Sequence, residues 1–558
     1  MREKAHYPIS RWWGWGDSDK SFKLHERSAF FPFLKNAVDV SNLRPCPPPF
    51  LSQLSIPESS LSSTVISALH DIFDPEHVSV EREDRVRNSL GRSYRDLLSM
   101  RLNRLPALCD AVVFPQTQDQ VRRLIALASQ KELRLVPVGG ATSVVGGVEP
   151  VYGAPESSVV AVNLSKMNRI LSVDPVSLTV RVQAGAYGRD LEQALNRYGL
   201  SLGHFPESFH FSTVGGWIAA SSCGQNSTLY GKINDLVMGL TVVTPAGVFS
   251  GDEFPAHAQG PDLKSLFLGS EGTLGVITEA LLKVHPQPER TDYFGLLFPD
   301  FAAGVEASRH IMRRGLTPAV IRLSDGPETD LGLALLPRFS NPLGEIAKQN
   351  VFRFLRARGY EAGRRSLMIL GFEGRGRVVR AQRKDAARVA GALGALCLGS
   401  MVGRQWKKGR FDNPYLRDTL MNMGMLVDTL ETVTLWSNME RLYQQVRKAI
   451  LDGMRETGTP GMVAAHLSHL YPQGSSLYFI LLCAQCPDRE LEQWRLIKAR
   501  ATNAIMESGG ALSHHHGIGL DHREWFRSSL DDTRRRLMEA LKTGLDKEDF
   551  MNPGKLFS

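Results

Sequence analysis

LRLVPVGGATSVVGG, residues 133–147, passes from a run of apolar and β-branched residues straight into paired glycines followed by Thr142 and Ser143. Such a run ahead of a glycine pair predicts a strand that ends in a tight turn. Upstream, AVVFP at 111–115 predicts a second strand and Gln118 to Gln130 a helix, so the unit reads as strand, helix, strand. Glycine lets backbone amides approach a phosphate with no Cβ between them, and the two hydroxyls add donors, so the loop is expected to cradle a pyrophosphate. It is neither a GxGxxG opening a helix nor a loop with the lysine of a nucleoside triphosphatase. A glycine-rich hairpin has the same look, and the loop alone leaves that alternative open.

Two further segments share this texture. GHFPESFHFSTVGGW, residues 203–217, leads into AASSCG at 219–224, where small side chains permit close backbone approach to a planar ligand. SEGTLGVITEA, residues 270–280, sets Gly272 and Gly275 just before a β-branched strand. With strand-like runs at Ser158 to Leu164, Thr179 to Ala184 and Leu240 to Thr244, the region to about Gln287 reads as one α+β domain. After Pro288, strand-like runs (Phe294 to Phe298, Leu367 to Gly371, Ser476 to Leu482) alternate with helical segments such as Arg377 to Leu393 and Trp436 to Thr457. That alternation predicts a cap made of an antiparallel sheet covered by helices. The expected division is 1–104, an N-terminal arm with a charged helical stretch around Glu81 to Met100; 105–287, the α+β domain; 288–505, the cap; and 506–558, a C-terminal segment returning to the first domain.

A chain of 558 residues exceeds what one core supports. There is no apolar run of the roughly eighteen residues a membrane helix needs and no charged-then-apolar leader, so a soluble, cytoplasmic protein is expected. The six cysteines are scattered, with only Cys483 and Cys486 close together, and read as reduced thiols. The formal charge of +8 is modest for this length. Basic runs such as Arg534 to Arg536 read as solvated faces, so no nucleic-acid partner is expected; an anionic substrate or membrane surface suits the excess. In RWWGWG at 11–16, Trp12, Trp13 and Trp15 suit either buried packing or a lipid interface.

SHHHGIG, residues 513–519, carries the densest chemistry. Imidazole titrates nearest neutrality, so three in succession suit proton transfer, anion binding or metal ligation. An engineered tag would lie at a terminus, whereas ordinary sequence continues here from His516 to Ser558.

Together these motifs resemble the flavin-binding domain of the vanillyl-alcohol oxidase superfamily, which holds FAD in extended form between two α+β subdomains. With RWWGWGDSDKSF at 11–22, GHFPESFHFSTVGGW, YLRD at 415–418 and SHHHGIG, the chain is similar to the alkyldihydroxyacetone-phosphate synthase branch from about Arg11 to Phe557. The resemblance implies an α+β fold: a two-subdomain FAD-binding domain of vanillyl-alcohol oxidase type plus a cap domain with an antiparallel sheet covered by helices. It also implies FAD contacts from Pro137, Val138, Gly139, Gly140, Ala141, Thr142 and Ser143. Further contacts would come from Glu207, Ser208, Phe209, His210, Phe211, Ser212 and Thr213, and from Ala220, Ser221, Ser222 and Cys223. A last set comprises Glu271, Gly272, Thr273, Leu274, Gly275, Val276 and Ile277. No histidine lies in the 137–147 loop, where many relatives attach the flavin, so the FAD is expected to be non-covalent.

The implied reaction exchanges the acyl group of acyl-dihydroxyacetone phosphate for a fatty alcohol without net redox change, giving an ether-lipid precursor. Arg417 would bind the substrate phosphate, as a planar fork of donors can. Tyr478 would be the general acid/base beside His514, His515 and His516, and Arg322 matches an arginine the family needs near the flavin. Each has a plainer reading: Arg417 in a surface ion pair, Tyr478 as core aromatic, and Arg322 paired with Asp325. In MVAAHLSHLYP at 462–472, His466 and His469 stand where the animal synthases compared carry arginine and glutamine, so substrate recognition is expected to differ there, with His469 as a substrate contact.

The alternative within the superfamily is a D-2-hydroxyacid dehydrogenase of D-lactate, glycolate or 2-hydroxyglutarate type, some of which hold a divalent metal. This chain departs at both metal segments, with Tyr478 and His515 at ligand positions. A site built from His469, Tyr478 and His515 is chemically feasible, but no metal is expected. A flavin-binding scaffold without turnover is disfavoured by the joint presence of Arg417, Tyr478 and the three histidines. Lipid substrates imply peripheral contact with a membrane surface, and the resemblance implies a homodimer.

Overall fold

The computed structural model describes residues 11–41, 43–152, 157–337 and 342–557, and of 342–349 the backbone only. Residues 134–138 do form a strand. In the first sheet Arg134–Val138, Val159–Asn163 and Ala111–Val113 run parallel, with Val78–Ser79 antiparallel at the edge. Parallel strands joined through a crossover helix are covered on both faces, which is why these runs are almost wholly apolar. The crossover helix, Gln118–Lys131, is started by Thr117, whose hydroxyl accepts from the Gln120 N–H while the Gln120 side chain reaches back. A five-stranded antiparallel sheet follows in the order Ile170–Asp174, Thr179–Gln183, Val276–Lys283, Val237–Thr244, Gly247–Ser250.

The N-terminal arm is more deeply involved than an appended segment, because Val78–Ser79 is a strand of the first sheet. The helical stretch expected around Glu81 to Met100 consists of two helices, Arg82–Ser89 and Tyr94–Arg101. The break seats backbone on backbone: the Arg92 N–H donates to the Ser143 carbonyl at 2.6 Å, and a Cβ on Gly91 would overlap that carbonyl. Ser93 then caps the second helix by accepting from the Asp96 N–H. The tryptophans are packing and not a lipid anchor. Trp15 is buried edge-on to Phe211, Trp12 packs on the cap core, and Trp13 lies under the guanidinium groups of Arg11 and Arg101.

The cap is a seven-stranded antiparallel sheet in the order Leu396–Gly399, Arg290–Phe298, Ser366–Gly374, Val320–Ser324, Met462–Leu470, Gly474–Ala484, Met425–Leu435. Side chains alternate across a strand. Leu477, Phe479 and Leu481 therefore join Val463, Leu467, Met368 and Leu370 in a core under the helices Phe301–Arg313, Gly376–Ala392, Met439–Glu456 and Glu490–Glu507. The residues between them, Tyr478 and Ile480 among them, face the opposite way, into a cavity. The C-terminal segment returns to the first domain. Met551 bridges Leu135, and the Asn552 amide donates to the Gly147 and Glu271 carbonyls at 3.0 and 2.7 Å. No helix among the described residues is long and apolar enough to cross a membrane.

Candidate active site

Between the open face of the cap sheet and the glycine segments of the first domain lies a cavity of about 960 Å³. The 139–143 loop forms one wall. Its missing Cβ groups serve packing first: a Cβ on Gly140 would overlap the Phe211 carbonyl oxygen, and one on Gly139 the Thr213 hydroxyl. Pressed from behind in this way, with Ala141 in a left-handed conformation (φ 50°), the loop leaves the N–H groups of Gly140, Ala141, Thr142 and Ser143 without a hydrogen-bond partner among the described residues. Four neighbouring free amides in a cavity wall are what an anionic diphosphate needs, and Gly215, Gly216, Ala219 and Ala220 leave room for a flat group beyond them. The residues present therefore fit FAD.

The expected FAD contacts divide in the structure. Pro137 to Ser143, Glu207, Ser208, Ser212, Thr213, Ala220, Ser222, Cys223, Glu271, Gly272, Gly275 and Ile277 line the cavity. The others are turned elsewhere by alternation and turn geometry. Phe209, Leu274 and Val276 belong to the first domain's core, Phe211 packs on Trp15, and His210 lies against Phe411. Ser221 accepts from the Asn234 amide, and the Thr273 hydroxyl donates to the Ser270 carbonyl.

On the facing wall, strand register sets Ser324, His466, Tyr478 and Glu431 side by side in one row. The His466 and Tyr478 rings are stacked with centroids 4.9 Å apart. His466 Nδ1 is hydrogen-bonded to Glu328 Oε1 at 3.0 Å, and Arg322 Nη2 donates to the same oxygen at 2.7 Å. The partner of Arg322 is thus Glu328 and not Asp325. Asp325 instead caps the helix Gly326–Ala334 and accepts from the Tyr443 hydroxyl at 3.0 Å. Burial works against the Glu328 charge, but His466 and Arg322 outweigh it and hold the carboxyl well below its usual range. Burial pushes the Tyr478 phenol up, so it stays protonated at neutral pH. Burial also lifts Glu207, in the cavity wall, to about 7, against the nearby charge of Arg322.

The histidine loop is suspended from two carboxylates, the buried Glu431 and the cavity-lining Glu271. Glu431 Oε2 accepts from the His514 N–H at 2.7 Å, and Oε1 accepts from the N–H groups of His515 and His516 and from the Ser513 hydroxyl. Glu271 takes the N–H groups of Ile518 and Gly519. Glycine is required at 517 and 519, where φ is 90° and 54° and a Cβ would run into Glu271 and the Val145 carbonyl. Held so, His515 and His516 reach the cavity and flank Tyr478 at ring distances of 6.3 and 5.5 Å. His514 lies behind them, bonded to the Tyr471 hydroxyl at 2.7 Å and to His515 Nδ1 at 3.0 Å. Burial lowers all three imidazoles, His514 to about 4, so the loop is neutral near pH 7. His469 sits in a bulge of its strand with φ 53°, its Nδ1 engaged by the Ser227 hydroxyl at 2.8 Å and Cys223 Sγ at 3.3 Å.

Glu431, His514 and His515 bring one ligand atom each to within 4.8 Å of one another. Their hydrogen bonds already account for them: both Glu431 oxygens are occupied by the loop's donors, and both His514 ring nitrogens have partners. In the set His469, Tyr478, His515, the His469 Nδ1 is engaged by Ser227 and Cys223.

Arg417, on the helix Asn413–Asn422, lines the cavity, and its Nη1 donates to the Arg92 carbonyl at 2.7 Å. Its Nε and Nη2 are buried without a hydrogen-bond partner, and Nη2 lies at ion-pair distance, 3.6 Å, from the buried Asp418 carboxylate. A buried guanidinium edge with no hydrogen-bond acceptor suits an anion.

Sequence reasoning missed Glu431, Glu328 and Asn552. For Glu431 the available signal was an acid, one of two with Asp428, inside a strand-like run of apolar and β-branched residues, MLVDTLETVTL.

Comparison with known proteins bears on the whole chain. Residues 109–250 match the FAD binding domain family and residues 287–556 the C-terminal domain family of FAD linked oxidases. The chain is 34% identical over 542 residues to the alkyldihydroxyacetonephosphate synthase of Dictyostelium discoideum, covering 97% of this chain and 85% of the relative. It is 31% identical to the same enzyme of Trypanosoma brucei brucei, covering 98% and 92%. A solved structure of an alkyldihydroxyacetonephosphate synthase superposes with a TM-score of 0.85 at 32% identity, covering 98% of this chain and 99% of that one.

Proposed function

The chain belongs to the alkyldihydroxyacetonephosphate synthase family, and from that premise we propose how its own residues divide the work of replacing the acyl group of acyl-dihydroxyacetone phosphate by a fatty alcohol. The reading rests on one observation: a single cavity joins the free amides of the 139–143 loop, the Arg417 edge that lacks a hydrogen-bond acceptor, the Tyr478 row and an apolar branch walled by Leu331, Leu335, Phe352 and Leu355. An anionic head and a long tail are both provided for.

FAD, when bound against the 139–143 loop, supplies a nucleophilic ring centre for an exchange with no net change in oxidation state. Arg417 takes the substrate phosphate through Nε and Nη2 and so fixes the reacting carbon relative to the ring. Tyr478 donates its phenolic proton toward the departing oxygen and recovers one from the incoming alcohol. The neutral imidazoles of His515 and His516 beside it accept and return that proton. His466, Glu328 and Arg322 hold the phenol's ring in place. Glu431 keeps the histidine loop against the sheet. The 1–104, 105–287, 288–505 and 506–558 segments act as arm, cofactor domain, cap and clasp.

Peripheral membrane contact belongs to the same proposal. Beside the cavity-lining residues Phe352, Leu355, Leu398 and Val402 stand the exposed side chains of Val351, Phe354 and Met401, and Lys407 and Lys408 lie on the Met401 helix. An apolar rim with cations behind it suits an anionic bilayer surface.

The test is anaerobic incubation of the purified flavoprotein with palmitoyl-dihydroxyacetone phosphate and hexadecanol, following ether product by mass spectrometry and the flavin by absorbance. Ether product without net flavin reduction is expected. Flavin bleaching by D-lactate, glycolate or D-2-hydroxyglutarate with no ether product would overturn the reading.

A further inference from the structure

Seven described arginines have a buried guanidinium nitrogen without a hydrogen-bond partner, and in five of them it is Nε alone. Only Arg417 and Arg27 have two, Nε and Nη2 in the first and Nε and Nη1 in the second, and both residues line the cavity. Arg27 comes from the N-terminal arm, at the end of the short turn Leu24–Glu26. Its guanidinium lies 5.9 Å from the ring of Phe22. Phe22 in turn packs on the cluster of Trp15, Phe211 and Tyr415 and on the cluster that holds Leu416 and Leu420. Tyr415, Leu416 and Leu420 belong to the helix that carries Arg417, so the arm is laid along that helix and delivers its arginine to the same cavity.

Two nitrogens of one buried guanidinium left without acceptors form an edge that is costly to desolvate unless an acceptor arrives. No carboxylate among the described residues is within ion-pair distance of Arg27 to fill that place. We propose that Arg27 is a second ligand of the substrate's phosphate, facing Arg417, so that the N-terminal arm completes the head-group site and selects a phosphorylated acyl donor. Two planar forks around one phosphate discriminate a dianionic head group from a neutral one more strongly than one fork does. The inference rests on the exchange reading given above for its substrate, and on the cavity alone for its anion.

The experiment compares the wild type with Arg27→Gln and Arg27→Lys as FAD-loaded proteins. It measures KM for palmitoyl-dihydroxyacetone phosphate, KM for hexadecanol, and binding of sn-glycerol 3-phosphate by flavin fluorescence. Arg27→Gln is expected to raise KM for the phosphorylated donor by about tenfold or more and to weaken glycerol phosphate binding similarly, with KM for hexadecanol unchanged; Arg27→Lys recovers part of the loss by keeping the charge. If both KM values rise together, Arg27 serves the alcohol channel and the proposal fails. It fails equally if neither moves, or if the variant releases FAD with KM unchanged, which assigns Arg27 to the cofactor. A wild type that binds glycerol phosphate but forms no ether refutes the exchange reading, and the Arg27→Gln binding measurement still decides the anion site.

Discussion

The imidazole of His466 lies flat on the phenol ring of Tyr478, with planes 19° apart, while its Nδ1 is tied to Glu328. The stack fixes the ring and leaves the hydroxyl as the only part of Tyr478 that chemistry can use. Tyr478→Phe preserves the stack and removes the O–H. Product formation should fall at least about 100-fold, within the usual range for a lost general acid, with the flavin spectrum and melting temperature unchanged. A variant at full rate would show that the proton travels by another group.

Glu431 is the hinge pin of the histidine loop, since four donors from Ser513 to His516 converge on its two oxygens. Glu431→Ala leaves those donors buried and unpaired. A loss of a few kcal/mol in urea unfolding is expected, at roughly 1–3 kcal/mol for a buried donor left unpaired, along with loss of activity. Glu431→Gln retains one carbonyl acceptor and should lose less of both. Equal losses in the two variants would mean that charge, and not the geometry of acceptance, holds the loop.

Arg417 lines the cavity with a guanidinium edge that has no hydrogen-bond acceptor, beside the Asp418 carboxylate. Arg417→Ala should raise KM for the phosphorylated donor by about 10- to 100-fold, the scale of a lost charge-assisted bidentate contact, without altering the flavin spectrum. An unchanged donor dependence would remove Arg417 from the head-group site.

The elements that respond to period were legible in the sequence, and those that respond to partners were not. The strand ending at Val138, the Gln118 helix and the cap's alternation all follow from local pattern. Long-range acceptance left no such trace. Glu431 and the histidine loop lie over eighty residues apart, and nothing near SHHHGIG indicates that its N–H groups would be collected by a strand of the cap. The break at Gly91 was hidden for the same reason, because its cause is the Ser143 carbonyl. The contiguous FAD contacts taken from the resemblance thinned in space because a turn or strand shows a cavity only part of its residues.

Gly140 is held between its own loop and the 211–213 backbone, so a methyl group there meets a carbonyl oxygen that no side-chain rotation can move away. Gly140→Ala should displace the loop and with it the four free amides. The expected result is protein purified with less than about a tenth of the wild-type FAD and a lowered melting temperature, as overpacking against backbone costs on the order of 1–3 kcal/mol. Full FAD retention would place the cofactor's diphosphate elsewhere.

His204 offers a clean measure of what neutral burial costs. Its ring lies edge-on to Trp217 at 4.8 Å, Nε2 is bonded to the Ser222 hydroxyl at 2.9 Å, and Nδ1 has no partner. Burial, aided by the charge of Lys232, depresses it to about 3 from an ordinary 6.5. Between those values the unfolded chain takes up a proton that the folded one refuses, so the contribution of His204 to stability falls as pH falls through that window. His204→Gln removes the titration. At about pH 5 the wild type should have lost roughly 2 kcal/mol relative to the variant, compared with the same difference at about pH 7.5. Urea unfolding of both proteins at the two pH values reads this directly, and a pH-independent difference would mean that the imidazole titrates in the folded protein as it does in the unfolded chain.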